Sequence, residues 1–317
     1  MKRTIFTFLL TCMAICMSAQ TEELIKFGNF DQWITREVKE SAIIGGNKKT
    51  LLEIGPNGKW EQNKPYTNQG GSPWATSNVL AKVAGVVKTN SSVFREKHGN
   101  GWAAKLVTHT ESVKVMGMVN ITVLAAGSLY TGKMMEPITS TKNPMSKISM
   151  GIPFTQRPSG IKLDYKITLS GKPNRVKQTG FSKVTTVNGI DMPEMIVVLQ
   201  KRTEDAKGNI TAVRVGTARY RFTKSTNGWV EDKVFPITYG NISGESWYKP
   251  YMGLITGDQT WYATNKKGKQ VPITESWGTG NETPTHAVVK FDSSHGGAYI
   301  GSDGTTFCID NVRWVFD

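Results

Sequence analysis

Aromatic side chains in turn-rich segments are the residues of this sequence best suited to binding a ligand. The chain has 9 Trp and 9 Tyr. Those that fall in apparent loops include Trp60, Tyr66, Trp74, Trp102, Trp247, Tyr248, Tyr251, Trp261, Tyr262 and Trp277. A sugar ring has an apolar face and a polar rim, so it stacks on flat rings and accepts hydrogen bonds from nearby polar groups. The pattern is compatible with sugar binding, although large aromatic side chains also anchor long loops.

Carboxylates are the residues that a sugar-cleaving enzyme would need. Glycoside hydrolysis uses two of them, about 5–10 Å apart across a cleft. The sequence offers Glu53, Glu111, Glu136, Glu194 and Glu245, but it neither pairs them nor places one in a hydrolase motif. Four His would allow a catalytic triad, yet no Gly-x-Ser-x-Gly elbow, Cys-His signature or His-Glu-x-x-His is present. A glycoside hydrolase is therefore the alternative to a non-catalytic binding protein.

Short alternating runs between Gly-rich turns indicate the elements that position these residues. Residues 161–169 alternate apolar and polar side chains, which predicts a strand with one solvated face. Residues 113–123 and 287–291 also predict strands. Residues 195–200 are apolar almost throughout, so we expect that strand to be covered on both faces.

Two of the predicted strands change the phase of their alternation. In residues 212–222 the change falls near Gly216, and in residues 307–316 it falls at Asp310-Asn311. A β-bulge absorbs such a change, because it inserts one extra residue into a strand. Residues 195–222 therefore predict a long hairpin with a bulge.

Helix signals are scarce. Residues 76–87 are the best helix candidate, weakened by Gly85 and several β-branched residues. Residues 57–74 and 240–283 are rich in turn residues and predict long loops. We expect one domain over residues 20–317: an all-β fold with long loops and little helix.

The N-terminus has the pattern of an export signal. Lys2 and Arg3 precede an apolar run of about 14 residues, shorter than the roughly 20 that span a bilayer. We expect a signal peptide over residues 1–19, with cleavage after Ala19, and a secreted, periplasmic or cell-surface protein. Lipoprotein processing is the competing fate, but neither Cys12 nor Cys16 follows a small residue.

Charge and cysteine content limit the function classes. The formal net charge is +14 and the pI is near 9.6, which suits acidic partners. No run of five or more Lys or Arg and no nucleic-acid-binding motif occurs, so we expect no nucleic-acid partner.

After signal cleavage Cys308 is the single thiol, which excludes an internal disulfide and predicts a buried side chain. No later stretch is apolar enough to span a membrane.

Several segments resemble the putative carbohydrate metabolism domain family. They are 26–33 (KFGNFDQW), 73–78 (PWATSN), 126–132 (AGSLYTG), 151–158 (GIPFTQRP), 291–297 (FDSSHGG) and 305–314 (TTFCIDNVRW). The resemblance implies a jelly-roll β-sandwich of two antiparallel sheets, similar to carbohydrate-binding modules of secreted bacterial proteins. It implies association with sugar, not a reaction. Some members carry an immunoglobulin-like domain before the jelly roll, and no such domain fits here.

The family-like segments direct the choice of candidate site residues. Polar or Gly-rich segments of this kind flank four aromatic residues, and two polar residues accompany them. The predicted carbohydrate-binding residues are Trp74, Asn78, Trp102, Tyr130, Arg157 and Trp247. Arg157 has an alternative role as a brace for its loop.

Two aspartates form a candidate metal site. Asp31 and Asp310 resemble the acidic residues with which jelly-roll modules hold a structural Ca²⁺ between their first and last strands. Ca²⁺ takes six to eight oxygen ligands, so backbone carbonyls would supply the others. The alternative is that Asp310 caps backbone N–H groups at the predicted bulge.

These observations leave three functional hypotheses. The first is a secreted, non-catalytic jelly-roll protein that binds carbohydrate for glycan capture or utilisation. The second is a glycoside hydrolase or a related carbohydrate-active enzyme. The third is an envelope-associated structural or adhesion protein whose basic surface contacts anionic polymers.

Overall fold

The protein is built almost entirely from β-strands, and the computed structural model describes residues 20–83, 85–115, 119–140, 143–180 and 183–317. The strands, in chain order, are β1 (Thr21–Leu24), β2 (Trp33–Lys39), β3 (Lys48–Ile54), β4 (Gly58–Trp60), β5 (Trp74–Thr76), β6 (Val79–Val83), β7 (Val86–Asn90), β8 (Val93–His98), β9 (Gly101–Val107), β10 (His109–Val115), β11 (Val119–Ala125), β12 (Ser128–Met134), β13 (Ile148–Met150), β14 (Ile152–Pro153), β15 (Gly160–Thr168), β16 (Asn174–Lys177), β17 (Thr179–Gly180), β18 (Thr185–Asn188), β19 (Glu194–Glu204), β20 (Ile210–Arg221), β21 (Val230–Pro236), β22 (Thr238–Tyr239), β23 (Tyr262–Thr264), β24 (Gln270–Trp277), β25 (His286–Asp292), β26 (Ile300–Gly301) and β27 (Thr306–Phe316). Short 3-10 turns lie at Ala42–Ile44, Pro144–Lys147, Pro250–Met252 and Gly257–Gln259. The predicted all-β class is confirmed, whereas the predicted signal peptide lies outside the described residues.

Two large sheets form a sandwich. The six-stranded sheet has the order β21-β15-β27-β9-β8, with β1 paired to β27. The ten-stranded sheet has the order β13-β12-β25-β19-β20-β24-β23, with β14 on β25, β22 on β20 and β5 on β12. Its pairs are antiparallel except for β20 and β24, which are parallel. Smaller sheets, β10-β11-β17, β18-β16-β26, β3-β2-β4 and β6-β7, flank this jelly-roll-like sandwich.

The main apolar core lies between the two large sheets. Ile161 and Leu163 of β15 and Ile309 of β27 come from one sheet, and Val197 and Phe291 come from the other. All five side chains are fully buried. Burial of each contributes about 1.5–3 kcal/mol, so alternate residues of both sheets hold the layers together. The alternation in residues 161–169 therefore predicted the core-facing side correctly.

A second core covers the outer face of the ten-stranded sheet. Ile196 and Val198 of β19 point into it, away from the main core, and Ile255 and Trp261 of the chain before β23 close it. The prediction that residues 195–200 are covered on both faces is confirmed.

Both predicted bulges are present. In the β19–β20 hairpin, Leu199 pairs with Gly216 and Gln200 pairs with Arg214, so Val215 is the extra residue. In the β15–β27 pair, the register shifts between Lys162 and Asp164.

The second bulge lies in the middle of β27 and changes which residues of β15 and β27 face each other. Lys162 lies opposite Arg313, and Asp164 lies opposite Asp310, which leaves two residues of β27 facing one of β15. Asn311 takes up the extra length with a φ of 52°, a conformation that Asn adopts more readily than most residues. This bulge brings Asp164 and Asp310 together.

Three sequence predictions need correction. The predicted helix over residues 76–87 is wrong: residues 76–83 run from the end of β5 through β6, residues 86–87 begin β7, and Gly85 lies at the β6–β7 turn with a φ of 80°. The β-branched residues there favour a pleated strand, which outweighs the weak helix signal. Of the predicted strand over residues 113–123, residues 113–115 belong to β10 and residues 119–123 to β11, which pair with each other, and residues 116–118 lie outside the described residues. Residues 240–283 include β24, which pairs with β20 because its apolar positions complete the second core.

Candidate functional site

A surface groove opens where the starts of β15 and β22 meet the end of β27. Its volume is about 430 Å³. Its lining residues are Arg157, Ser159, Ile237, Tyr239, Phe316 and Asp317. Ile237, Tyr239 and Phe316 belong to the main core or pack against it, so the floor of the groove is the edge of the sandwich interior. The groove, called here the Arg157–Tyr239 groove, combines apolar rings with a polar rim.

Arg157 forms one wall of this groove and also braces a loop. Its guanidinium carbon lies 4.2 Å from the centre of the Tyr239 ring. Its Nη1 donates a hydrogen bond to the carbonyl of Glu282 at 2.7 Å, and its Nη2 donates one to the carbonyl of Gly280 at 2.6 Å. The bracing role left open by the sequence is therefore observed, and it places Arg157 on the rim of the groove.

Tyr239 is held in a fixed orientation. Its hydroxyl donates a hydrogen bond to the carbonyl of Pro158 at 2.8 Å. Burial raises the pKa of Tyr239 to about 12, although the nearby Arg157 opposes this shift. The phenol is therefore protonated at neutral pH and remains a hydrogen-bond donor to the backbone.

Trp74 and Tyr130 lie in the interior. Trp74 is 1% exposed, packs against Phe30 and Phe291, and donates its indole N–H to the carbonyl of Lys26 at 2.9 Å. Tyr130 belongs to the second core and is fully buried. Neither ring presents a face to a ligand in this structure, so both act as core residues here.

Asn78 is also buried, and its amide joins three segments of backbone. Its Oδ1 accepts hydrogen bonds from the N–H groups of Ser92 and Val93 at 2.8 and 2.9 Å. Its Nδ2 donates to the carbonyls of Leu52 and Val93. All these bonds satisfy buried backbone groups, which would otherwise cost free energy.

Trp102 and Trp247 remain at the surface, but not together with Arg157 in one groove. Trp102 is half-buried at the start of β9, with Nζ of Lys97 3.9 Å and Cζ of Arg95 5.1 Å from its ring centre. Trp247 is 44% exposed in the segment before the Pro250–Met252 turn. Of the six predicted carbohydrate-binding residues, Arg157 is the one that lines the Arg157–Tyr239 groove.

The two candidate calcium ligands are engaged with N–H groups. Asp310 Oδ2 lies 2.6 Å from Nδ1 of His98, and its Oδ1 accepts the N–H of Asn311 at 2.7 Å. Asp31 Oδ1 accepts the N–H of Trp102 at 2.9 Å. In the described part of the chain, no group of three or more His, Cys, Asp and Glu could hold a metal ion. Ca²⁺ takes six to eight oxygen ligands, most of which would come from groups other than these two aspartates, so the calcium site stays a prediction.

Asp310 therefore matches the capping alternative, because it accepts the N–H of the bulge residue. Burial raises the pKa of Asp310 to about 6, and the hydrogen bond with His98 opposes the shift. The His98 ring is stacked on Trp229 with ring centres 3.9 Å apart. Trp229 was not singled out from the sequence, since its contact with His98 depends on the pairing of distant strands.

The strand order brings two carboxylates together on the outer face of the ten-stranded sheet. Glu194 of β19 lies directly opposite Asp292 of β25. Glu194 is ion-paired with Arg219 and Arg221, and Asp292 with Lys290. Burial alone would raise the pKa of Glu194, but the two guanidinium groups outweigh it and lower the pKa below its usual value. Glu194 is therefore unsuited to donate a proton as a glycosidase acid does.

A second carboxylate pair is enclosed in the interior. Nη1 of Arg36 lies 2.5 Å from Glu53, and Nη2 lies 2.5 Å from Glu136. Burial raises the pKa of Glu53 to about 7, although Arg36 opposes the shift. The raised pKa would suit a proton donor, but all three side chains are almost fully buried. This pair is thus a structural ion-pair network.

Two further expectations concern Cys308 and membrane spans. Cys308 is buried, and burial raises its pKa to about 11, so the thiol is protonated and inert at neutral pH. Among the residues that the structure describes, no helix has the length and apolar character needed to cross a membrane.

Comparisons with known proteins place these observations in a family context. The family model described as "Putative carbohydrate metabolism domain" matches residues 53–242 of this chain. A solved structure titled as a putative glycoside hydrolase from Bacteroides thetaiotaomicron VPI-5482 is 18% identical, covering 86% of this chain and 76% of that chain, with a TM-score of 0.44. No curated protein matches the chain significantly.

Proposed function

This chain belongs to the putative carbohydrate metabolism domain family, and we propose that it binds carbohydrate in the Arg157–Tyr239 groove without cleaving it. Membership of the family supports a carbohydrate-related role. The observation that carries the proposal is the composition of the groove, in which aromatic rings and a guanidinium group share one concave surface.

The chemistry of the groove matches that of a sugar. Phe316 is half-buried, so part of its surface can contact the apolar face of a pyranose. Arg157 and Ser159 supply hydrogen-bonding groups at the rim. Arg157 is already oriented by its bonds to the loop at residues 280–282, so little side-chain entropy would be lost when a sugar binds.

The carboxylates favour binding over hydrolysis. Among the residues that line the Arg157–Tyr239 groove, Asp317 is the single one with a carboxylate side chain, and glycoside hydrolysis uses two. Glu194 has a lowered pKa, and Glu53, whose pKa is raised, is enclosed with Arg36. A glycosidase needs one protonated and one ionised carboxyl group facing the same cleft, and these two glutamates do not meet that need.

The protein would act after export. The basic, apolar and small-residue pattern of residues 1–19 is the support for secretion, and capture of glycan outside the cytoplasm is the corresponding role. N-terminal sequencing of the exported protein should find Gln20 as the first residue. An exported chain that retains Met1 would contradict this.

A glycan panel tests the proposed activity. The purified protein is titrated with oligosaccharides of different composition, and release of reducing sugar is followed in the same samples. We expect saturable binding to at least one glycan without reducing-sugar release. Release of reducing sugar would favour the glycoside hydrolase. If the protein binds no glycan of the panel but binds anionic envelope polymers in a salt-reversible way, the adhesion protein is favoured.

A further inference from the structure

A second, smaller pocket lies on the outer face of the ten-stranded sheet, at the end of β20. Its volume is about 180 Å³. Its lining residues are Arg219, Arg221, Pro250, Tyr251, Leu254, Ile255, Thr256 and Gln259. None of these residues is acidic, and none lines the Arg157–Tyr239 groove. This cavity is called here the Arg221 pocket.

One carboxylate holds the two arginines of this pocket side by side. Glu194 Oε1 accepts hydrogen bonds from Nε of Arg219 at 3.1 Å and Nε of Arg221 at 2.8 Å. Its Oε2 accepts one from Nη2 of Arg219 at 3.2 Å. The hydrogen bond from Nε to Glu194 fixes the orientation of the Arg221 guanidinium group. Its two terminal nitrogens, Nη1 and Nη2, donate to no acceptor among the described residues. Those nitrogens form the fork that pairs with a planar oxyanion.

Tyr251 adds a second constraint on the guanidinium groups. The centre of its ring lies 4.3 Å from Cζ of Arg221 and 5.9 Å from Cζ of Arg219. A cation over an aromatic face is attracted to it, so the ring helps to hold both cations at the pocket wall. The site is therefore organised before any ligand arrives.

The paired charged groups on β19, β20 and β25 carry one more positive than negative charge. Arg219, Arg221 and Lys290 are cationic, whereas Glu194 and Asp292 are anionic, and all five belong to adjacent strands. Arg219 is almost fully buried, which reduces the screening of its charge by solvent. Asp258 lies on the neighbouring Gly257–Gln259 turn but is exposed and does not line the pocket, so the charged side chains in the pocket lining are the cations Arg219 and Arg221, which favour an anion.

We propose that the Arg221 pocket binds the carboxylate of an acidic sugar. The guanidinium fork of Arg221 binds the carboxylate, and Thr256 and Gln259 contact the hydroxyl groups of the ring. The pocket is smaller than the cavities of roughly 300–1,000 Å³ that bind drug-sized ligands. It therefore has room for one acidic monosaccharide unit rather than for an extended oligosaccharide. This site is additional to the Arg157–Tyr239 groove, and its ligand class does not depend on that groove.

The test is calorimetric titration with glucuronate and galacturonate, with glucose and galactose as neutral counterparts. Inorganic sulfate and phosphate are titrated separately. We expect the uronates to bind at least about tenfold more tightly than the neutral sugars, since the charge-assisted bidentate pair is lost with the latter. Equal affinity for charged and neutral sugars, or binding of inorganic anions without binding of either uronate, would overturn the proposal.

Two variants locate the site. Arg221→Gln removes the fork. Gln259→Glu places a negative charge in the pocket at an exposed position, where we expect substitution to change stability little. Both should weaken uronate binding at least about tenfold, because the charge pairing is lost or opposed. The matched controls Arg313→Gln and Gln32→Glu lie elsewhere on the surface and should bind as the wild type does.

Thermal unfolding of each variant shows whether it is folded. If Arg221→Gln fails to fold, Gln259→Glu carries the test alone. Undiminished uronate affinity in folded Gln259→Glu would contradict the assignment. Binding of a neutral glycan in the Arg157–Tyr239 groove should be the same in both variants, so failure of this proposal is distinguishable from failure of the first.

Discussion

The guanidinium group of Arg157 covers the ring of Tyr239 at 4.2 Å while it donates hydrogen bonds to the carbonyls of Gly280 and Glu282. One side chain thus joins the loop before β25 to the edge of the main core. The shape of the groove depends on this contact, because Arg157 and Tyr239 both line it. The loop and the groove should therefore respond together when Arg157 is changed.

Replacing Arg157 with Ala should loosen the loop and weaken glycan binding. The carbonyls of Gly280 and Glu282 lose their hydrogen-bond donor, so amide hydrogen exchange at residues 279–283 should become faster. The affinity for glycan should fall about tenfold, which corresponds to a loss of about 1.4 kcal/mol of binding free energy. Hydrogen exchange by mass spectrometry and calorimetry check the two effects. Arg313→Ala is the control and should change neither. Faster exchange with full affinity would remove Arg157 from the binding surface.

Replacing Arg36 with Met should be strongly destabilising. Glu53 and Glu136 would be left buried without their cation, and breaking a buried pair in this way costs about 3–5 kcal/mol. Urea unfolding monitored by tryptophan fluorescence measures the loss. The exposed Arg95→Met is the control, for which we expect a change within about 0.5 kcal/mol. A loss as small as that of the control would contradict the account of this network.

Glu53 should make stability depend on pH. Its pKa is about 7 in the folded protein, above its ordinary value of 4.5, because burial disfavours the charge. The folded state therefore retains a proton that the unfolded state releases, and this contribution to stability is present below about pH 4.5 and is lost as the pH rises to about 7.

The comparison with Glu53→Gln isolates this effect. Relative to the variant, the wild type should lose about 1.4 kcal/mol of unfolding free energy for each pH unit between about 5 and 7. Urea unfolding of both proteins across that range provides the measurement. Parallel pH profiles, or a wild type that gains stability with pH relative to the variant, would show that Glu53 does not titrate in this way.

Removal of divalent ions should leave the thermal midpoint unchanged. The hydrogen bonds that Asp31 and Asp310 accept from the N–H groups of Trp102 and Asn311 give both carboxylates a structural role that needs no ion. Thermal unfolding with EDTA and with added CaCl₂ checks this. A midpoint that falls with EDTA and recovers with Ca²⁺ would contradict this expectation and support the calcium site that the sequence predicts.

Local patterns predicted the strands and their bulges well. The alternation in residues 161–169 and the phase change near Gly216 are consequences of side-chain direction along one strand, which the sequence records directly. The helix predicted over residues 76–87 was wrong because a short apolar stretch does not distinguish a helix from a strand, and Gly85 lies at the turn of a hairpin.

The candidate sites were harder to predict because they depend on strand order. Glu194 and Asp292 are far apart in sequence and meet because β19 pairs with β25. Trp74 has a loop-like sequence context, but it is a core residue because β5 adds to β12 beneath the main core. Arg157 was identified because family-like residues flank it, whereas its partner Tyr239 carried no local signal.

Phe316 provides the most direct test of carbohydrate binding in the Arg157–Tyr239 groove. The measurement is the calorimetric affinity of the best glycan from the panel for the wild type, Phe316→Leu and the matched control Phe94→Leu. Phe94 is a 37% exposed ring on β8 of the same sheet, away from the groove. We expect Phe316→Leu to weaken binding at least about tenfold, since stacking on a ring is lost, and Phe94→Leu to bind normally. Equal affinity of all three proteins would contradict the proposed site.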